Sequence, residues 1–339
     1  MLKRTTSSSV ESAKVFITSA YDDLKPVANF KKYAQADSIN NHSIVNNPAD
    51  ADIILFVEDI ISNKDYYSKK LLNHPLVKRY RHKAYIYNPR DFTWYILPGL
   101  YTCLPQEINN SNFTLGSPYL ETINEFIECD FSKEPKFLFS FYGALSSPSR
   151  QEIIKLTHPR ASIRLSTHKM YVADKPKQPQ QEYAELLSDS KFVLCPRGIS
   201  SSSIRLFETL KAGRVPVILS DNWVRPIGCD WDKFAVFVPE NEVASIPALL
   251  EREEANWPEK ARMARQVWEE LFAPQTIFNY CINCLLQLHP RQPMPLSMRY
   301  RSTMLFLNYF LRNEYRNRIR PRVHAIRDLL KKSRSEESK

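Results

Sequence analysis

The chain has 339 residues, of which 43% are hydrophobic and 25% charged, and its formal net charge is +10. This balance is typical of a globular protein and excludes a disordered or fibrous chain, and the length predicts two domains and a tail. Residues 1–12 lack the apolar segment of a signal peptide, and no uninterrupted apolar run of about 18 residues follows, so we expect a cytoplasmic protein.

Seven short apolar or β-branched runs alternate along the chain with longer polar or amphipathic segments. The runs are KVFIT (14–18), ADIILFV (51–57), KAYIY (83–87), KFLFSFYG (136–143), KFVLC (191–195), VPVILS (215–220) and FAVFV (234–238). Continuous apolar runs are typical of strands that are buried on both faces, and the spacers are typical of crossover helices. The pattern therefore predicts an α/β protein with parallel sheets.

The domain boundary is predicted near residues 129–136, where a segment with helical character, 118–128, gives way to a new strand. We expect an N-terminal Rossmann-like domain over residues 1–130, a second over residues 131–290, and a basic helical tail over residues 291–339. Six cysteines are scattered through the chain without the spacing of a disulfide framework. Its one C-x-x-C pair, Cys281 and Cys284, has no second ligand pair nearby, so we expect two cysteines on an apolar helix and no metal site.

Residues 195–213, CPRGISSSSIRLFETLKAG, combine a loop of small residues with the start of a helix that Gly213 is placed to cap. A loop at the carboxyl end of a parallel strand is where open α/β sheets bind ligands. Serine hydroxyls, free N–H groups at the helix start and the charges of Arg197 and Arg205 all favour an anion. The segment therefore predicts a diphosphate site.

Glu208 lies five residues into this helix, about 7.5 Å along its axis at 1.5 Å per residue. A carboxylate at that distance from a bound phosphate is suited to accept hydrogen bonds from the two hydroxyls of a ribose. The alternative is a serine-rich helix cap followed by a solvated Arg205/Glu208 pair.

Residues 191–251 resemble the C-terminal nucleotide-sugar domain of the exostosin-like glycosyltransferases. The family pattern of C-P-R-G, S-x-R-L-x-E, G-x-x-P-V, Asp and D-W-x-x-F is met at 195–198, 203–208, 213–217, 221 and 230–234. Two earlier segments, NNPADADIILFV and FSFYGALSSPSRQEII, resemble the family less closely. Ser200 and Arg214 depart from it, since the family often has glycine and cysteine there.

This resemblance to a single-module family member implies a GT-B fold, in which two Rossmann-like domains face each other across a cleft. It also implies transfer of a sugar, with inversion and without a metal or other cofactor, from a nucleotide-diphosphate donor that we expect to be UDP-linked. By the same resemblance Glu208 would hold the ribose, and Ser203, Arg205 and Arg150 the diphosphate. Arg197, Gly198 and Ser202 complete the expected donor site, although Arg197 has the alternative role of bracing the loop.

Inversion in one displacement needs a general base for the acceptor hydroxyl, and we expect the N-terminal domain to supply it. Asp91, in YNPRDFTWYILPG after a strand, is the candidate, and its alternative role is to cap a turn after proline. His82 and the pair Asp22 and Asp23 are further candidates.

The tail from residue 296 onwards has twelve Lys and Arg but only four Asp and Glu. We expect residues 304–334 either to contact an anionic membrane or to pack against the domains, or to do both, with residues 304–311 docked and residues 316–334 on lipid. Membrane contact would suit an enzyme that extends a lipid-linked saccharide at the inner face. Two other classes stay open: a catalytically inactive partner subunit with the same fold, and a basic nucleic-acid-binding protein. Because the positive charge is concentrated outside the two domains, the sequence argues against a nucleic-acid-binding protein.

Overall fold

The structure is a computed structural model that describes residues 11–58, 65, 68–91, 94–120, 123–166, 177–289 and 295–314. It has two parallel β-sheets, one in each half of the chain. The first has the strand order β2-β1-β3-β4-β5-β6 and the second the order β11-β10-β9-β7-β8. The predicted fold class, α/β with two Rossmann-like parallel sheets of the GT-B type, is confirmed.

The strands of the first sheet are β1 (Lys14–Thr18), β2 (Ser43–Ile44), β3 (Ile53–Val57), β4 (Ala84–Asn88), β5 (Gly99–Tyr101) and β6 (Thr114–Gly116). Those of the second are β7 (Phe137–Gly143), β8 (Ala161–Leu165), β9 (Ser190–Pro196), β10 (Val215–Leu219) and β11 (Val236–Phe237). All seven predicted runs contain strands. The four strands without a predicted run are two to five residues long, and β8 is partly exposed, so none has a continuous buried apolar run.

The α-helices are α1 (Lys25–Ala36), α2 (Lys69–Leu72), α3 (Pro75–Arg79), α4 (Pro148–Ile153), α5 (Lys177–Ser188), α6 (Ile204–Lys211), α7 (Ile246–Glu253), α8 (Trp257–Val267), α9 (Ile277–Leu286) and α10 (Leu296–Glu314). Helix α6 ends as predicted, because Gly213 follows it with a φ of +62° that favours glycine. A π-helical turn, Trp268–Phe272, follows α8.

The helix predicted over residues 118–128 is wrong for the residues that the structure describes there. Asn124 explains the difference, because its backbone N–H donates to Glu208 and its side-chain amide donates to the Gln180 carbonyl. These bonds to the second half of the chain hold the segment in an irregular conformation. Tertiary contacts therefore override the local helical tendency of this segment.

The two halves share one apolar core cluster, which contains Leu100 and Leu115 from the first sheet and Phe207 and Trp223 from the second half. The indole N–H of Trp223 also donates to the Thr102 carbonyl across 3.1 Å. Direct packing and hydrogen bonds therefore join the halves.

Helix α9 returns to the first half of the chain, although residues 277–286 are predicted within the second domain. The Phe278 ring packs against Phe30 of α1 at 5.8 Å between centroids, and Asn283 hydrogen-bonds His42 at 3.0 Å. Cys281 and Cys284 are free, buried thiols on this helix, which confirms the apolar-helix reading of the C-x-x-C pair.

Helix α10 packs back on the first half of the chain, which is one of the two alternatives for the tail. Ser302 is 1% exposed and its Oγ accepts the Tyr95 backbone N–H at 2.6 Å, while Leu305 packs against the core of the first half. Residues 316–334, which the combined alternative assigns to lipid contact, lie outside the described residues. Among the described residues, no helix combines the length and the apolar character that a membrane span requires.

Candidate donor site

The second sheet changes winding direction between β7 and β9, and the predicted donor loop starts at this point. Strand β7 ends at Gly143 and β9 at Pro196, so the segments 144–147 and 197–203 emerge side by side. A crevice outside the carboxyl ends of two such strands is the general ligand site of open α/β sheets. The topology therefore places the serine loop where the sequence predicted it.

Arg150 joins these two segments. Its Nε donates to the Arg197 carbonyl (2.9 Å), its Nη1 to the Ala144 carbonyl (3.1 Å) and its Nη2 to the Pro196 carbonyl (3.2 Å). Arg150 is thus a brace for both loops, and its contact with a diphosphate stays a prediction.

Arg205 reaches the same crevice from the first turn of α6. It is 3% exposed, its guanidinium lies 4.8 Å from the centroid of the Phe141 ring, and its Nη2 donates to the Tyr142 carbonyl. Gly143 makes room for it: a Cβ there would lie 2.5 Å from Arg205 Nη2 and 3.5 Å from Arg150 Nη1. The two cations therefore converge over a position that has no side chain.

The start of α6 faces the same place. Ser203 is the residue before the helix; its side chain makes no capping hydrogen bond, and its carbonyl accepts the Leu206 N–H at 3.2 Å. The N–H of Gly198 donates to the Ser202 carbonyl at 3.3 Å, which closes the serine loop. Ser202 and Ser203 are 4% and 8% exposed. Helix N–H groups beside two guanidinium groups form an environment that favours an anion.

Arg197 makes an ion pair with Glu240. Its Nε lies 2.7 Å from Oε1 and 2.8 Å from Oε2 of that carboxylate, and both side chains are mostly buried. The bond fixes the loop after β9 to the segment after β11. The structure therefore favours the bracing role over direct donor contact for Arg197.

Glu208 is buried and is held from both sides. Its Oε2 accepts the Tyr183 hydroxyl of α5 at 2.8 Å, and its Oε1 accepts the Asn124 N–H at 3.2 Å. Arg205 and Glu208 are 3% and 6% exposed, so they are not the solvated pair of the alternative interpretation. Binding of the ribose hydroxyls by this carboxylate stays a prediction.

Asp91 follows β4 in the first half, and although the residue is exposed, nearby protein raises its pKa by desolvation. Burial is the main cause of the raised pKa values of Cys103 and Tyr119, and the charge of Asp91 adds to both. The Cys103 thiol lies 3.1 Å from the Tyr119 hydroxyl, and Ser202 lies close enough to both groups to lower their pKa values. Cys103 and Tyr119 therefore lie between the predicted base and the predicted donor loop.

The other base candidates have different surroundings. Asp23 caps the N–H of Lys25 at 2.9 Å, and Asp22 is fully exposed beside Lys70 at 3.7 Å. His82 is exposed on a 3₁₀ turn, Arg81–Lys83. These positions favour structural or solvated roles for the three residues.

The sequence analysis missed a buried carboxylate, Glu58, directly after β3. It is 1% exposed and accepts the Ser19 hydroxyl at 2.6 Å and the Ala20 N–H at 2.8 Å. Burial raises its pKa, whereas these bonds and the nearby charge of Arg90 lower it. The signal in the sequence is a lone glutamate at the end of an apolar run.

A D-x-D pair of carboxylates, Asp230 and Asp232, lies in the second half of the chain. Asp230 pairs with Lys233 at 3.5 Å and Asp232 with Arg225 at 3.4 Å, and both carboxylates are exposed. Within the described parts of the chain, no three His, Cys, Asp or Glu side chains are grouped so that they could hold a metal ion. Independence from a metal stays a prediction.

Two parallel sheets, with two arginines beside a helix start at the turning point of the second, define an α/β protein, and this turning point is an environment that favours an anion. Residues 56–252 match the model of the Exostosin GT47 domain, which is more than half of the chain. The chain belongs to the exostosin GT47 family.

Similar proteins agree with this assignment over shorter segments. The Exostosin-1 homolog of Caenorhabditis elegans is 44% identical over 79 residues, which are 23% of this chain and 21% of that protein. Exostosin-1 of Drosophila melanogaster is 28% identical over 162 residues, 42% of this chain and 21% of that protein. The matched region thus spans about a fifth of these relatives. Among solved structures, an α1,3-fucosyltransferase aligns over 93% of this chain and 94% of its own, with a TM-score of 0.37 and 11% identity.

Proposed function

We propose that the protein is a glycosyltransferase that moves a sugar from a UDP-linked donor to a saccharide acceptor, with inversion at the transferred carbon. The observation that carries this proposal is the convergence of Arg150 and Arg205 over Gly143, beside the start of α6. Membership of the exostosin GT47 family supports the reaction class. Glu208, about one and a half turns along α6, is the proposed acceptor of the ribose hydroxyls.

The chemistry of departure explains the two arginines. When the bond from the sugar to the diphosphate breaks, negative charge grows on the leaving oxygen, and fixed cations and N–H dipoles aimed there stabilise the transition state. Arg205 supplies a buried cation, and the first N–H groups of α6 supply the dipoles. We propose that these groups carry out the charge stabilisation without a divalent metal.

The acceptor hydroxyl needs a base on the opposite side of the sugar, and Asp91 is the proposed base. Its raised pKa and the effect of its charge on Tyr119, which lies close to Ser202, support this assignment. In the proposed step the acceptor oxygen attacks the sugar carbon, its proton passes to Asp91, and the UDP oxygen leaves with the bonding electron pair.

The class of acceptor and the location of the protein are proposed from the distribution of charge along the chain. The tail from residue 296 is strongly basic, and an anionic, lipid-linked saccharide at the inner face of a membrane would be drawn to it. A soluble saccharide acceptor would leave this basic excess without a role in catalysis.

Calorimetry with UDP, GDP and CDP tests the donor, and we expect micromolar binding of UDP that EDTA leaves unchanged. Binding of UDP-sugars without hydrolysis or transfer to any saccharide would instead indicate a catalytically inactive partner subunit. If no nucleoside diphosphate binds, the proposed function is wrong.

A further inference from the structure

The outer side of α10 carries a stripe of exposed apolar side chains. Its members are Leu296, Tyr300, Met304 and Leu311, which are 79%, 68%, 41% and 65% exposed. Spacings of four, four and seven residues place them on one side of an α-helix. The opposite side holds Met298, Ser302 and Leu305, which pack on the first half of the chain. The stripe therefore faces away from the protein that anchors the helix.

A basic surface lies next to this stripe. The exposed residues of the segment after α2 include Lys78, Arg79, Arg81 and His82. Tyr95 connects the segment to α10. Its backbone N–H donates to Ser302 of that helix. Burial raises the pKa of its hydroxyl, and the charges of Arg81 and Arg299 both lower it. Arg299 and Arg301 are themselves exposed on α10. Two separate elements thus place positive charge beside one apolar stripe.

The chain beyond α10 continues the same charge. Residues 315–339 contain nine Lys and Arg and three Asp and Glu. A helix with an exposed apolar stripe, followed by a basic segment, has the composition that is typical of a helix in a membrane interface.

We infer that the outer stripe of α10, together with the basic segment 78–83, is a docking surface for an anionic lipid membrane. Apolar side chains on such a helix enter the boundary between headgroups and acyl chains, and flanking arginines contact lipid phosphates. Nucleic acid would need the cations but gives no role to exposed leucine and methionine side chains. This inference rests on the proposed membrane location and not on glycosyl transfer, since lipid binding can be measured without a sugar donor.

Sedimentation with vesicles tests it on the full chain. We expect binding to vesicles with 30% phosphatidylglycerol in phosphatidylcholine, weaker binding at 0.5 M salt, and little binding to phosphatidylcholine alone. The double variant Arg79→Gln/Arg81→Gln should weaken the binding about 25-fold, because each basic residue near an anionic surface contributes about fivefold. Leu296→Ser/Tyr300→Ser should weaken it at least tenfold through lost apolar contact.

Matched controls carry the same changes elsewhere. Arg252→Gln/Arg262→Gln removes two exposed charges from α7 and α8, and Leu165→Ser removes an exposed apolar side chain from the end of β8. Both controls should bind anionic vesicles like the unaltered protein. Unchanged circular dichroism and UDP binding in every variant would separate a lipid effect from misfolding or a damaged donor site.

Four results would overturn the inference. One is no binding to anionic vesicles at low salt, and another is equal loss in the control variants. A third is loss of binding on deletion of residues 315–339 while the variants in 79–81 and 296–300 bind normally, which would assign lipid contact to the tail alone. The fourth is that vesicle binding is absent and the variants instead abolish binding of a single-stranded oligonucleotide, or abolish a dimer detected by light scattering.

Discussion

The hydroxyl of Tyr183 donates to the carboxylate of Glu208 across 2.8 Å, and both side chains are buried beside the start of the donor loop. This contact fixes the carboxylate on the face of α6 that looks towards α5. The Asn124 N–H holds the other oxygen. If Glu208 binds the ribose, it does so already oriented and loses little rotamer entropy.

Glu208→Ala should lower the affinity for UDP tenfold to a hundredfold, since hydrogen bonds to a charged group contribute about 1.5–3 kcal/mol. Tyr183→Phe removes the orienting bond but not the ribose contact, so it should lower affinity less than tenfold. Titration calorimetry measures both. Equal UDP affinity in Glu208→Ala and the unaltered protein would remove Glu208 from the donor site.

Arg205 and Arg150 should respond differently to replacement by lysine. Arg205→Lys should weaken UDP binding at least tenfold and leave uridine binding unchanged, because lysine loses the fork of donors that suits a phosphate. Arg150→Lys should also lower the melting temperature, since three bonds to backbone carbonyls are lost or distorted. Arg164→Lys, at an exposed position on β8, is the control. If Arg205→Lys lowers the affinity for uridine as much as the affinity for UDP, Arg205 does not act on the phosphates.

Arg197 and Glu240 offer a double-mutant cycle. If Arg197 braces the loop, Arg197→Ala, Glu240→Ala and the double variant should reveal about 1 kcal/mol of coupling in unfolding free energy. UDP affinity should then change less than threefold in Arg197→Ala. A tenfold loss of UDP affinity in Arg197→Ala, without coupling to Glu240, would show that Arg197 contacts the donor.

The parts of the fold that could be predicted from sequence are those with a strong local signal. The runs that became β1, β3 and β9 are continuous and apolar, and the loop 195–213 combines proline, glycine and serines before a helix. Strands β5 and β6 have three residues each and are buried through neighbours far away in sequence. Their pairing is a tertiary effect that no short pattern carries.

The same distinction applies to the site. Arg205 and Glu208 were predicted because one helix spaces them, whereas the Arg197–Glu240 pair joins residues from two segments that only the fold brings together. Glu58 was missed for the same reason, since its importance lies in its burial against Ser19 and Ala20. The return of α9 to α1 also depends on contacts between distant segments.

Asp91→Asn should lower kcat at least a hundredfold and leave UDP affinity unchanged, because a general base contributes to turnover rather than to donor binding. A base acts when it is deprotonated, and desolvation holds the proton of Asp91 to a higher pH than usual for a carboxyl. The acid limb of the kcat profile should therefore lie above pH 4, about the ordinary pKa of aspartate. Asp22→Asn, at an exposed carboxylate, is the control. Full turnover in Asp91→Asn would place the base elsewhere.

Arg214 stands where the family pattern often has cysteine, and its side chain is completely buried. Its Nε and Nη2 donate to the Ser188 carbonyl at 3.1 and 2.8 Å, and its other bonds reach the carbonyls of Gly213 and Asp130 at 3.0 and 3.1 Å. Burial lowers its pKa, but a guanidinium stays charged at neutral pH. Arg214→Met would leave these carbonyls without their donors, so we expect a loss of about 3 kcal/mol in unfolding free energy.

Urea unfolding measures this loss, with Arg262→Met as the matched variant at an exposed position. Arg214→Lys should fall between the two, because it keeps the charge but cannot reach all three carbonyls at once. UDP affinity of the folded fraction should stay unchanged in all three variants, since Arg214 lies beyond the carboxyl end of α6, away from the serine loop. A stable Arg214→Met with weakened UDP binding would contradict the structural role and assign this arginine to the donor site.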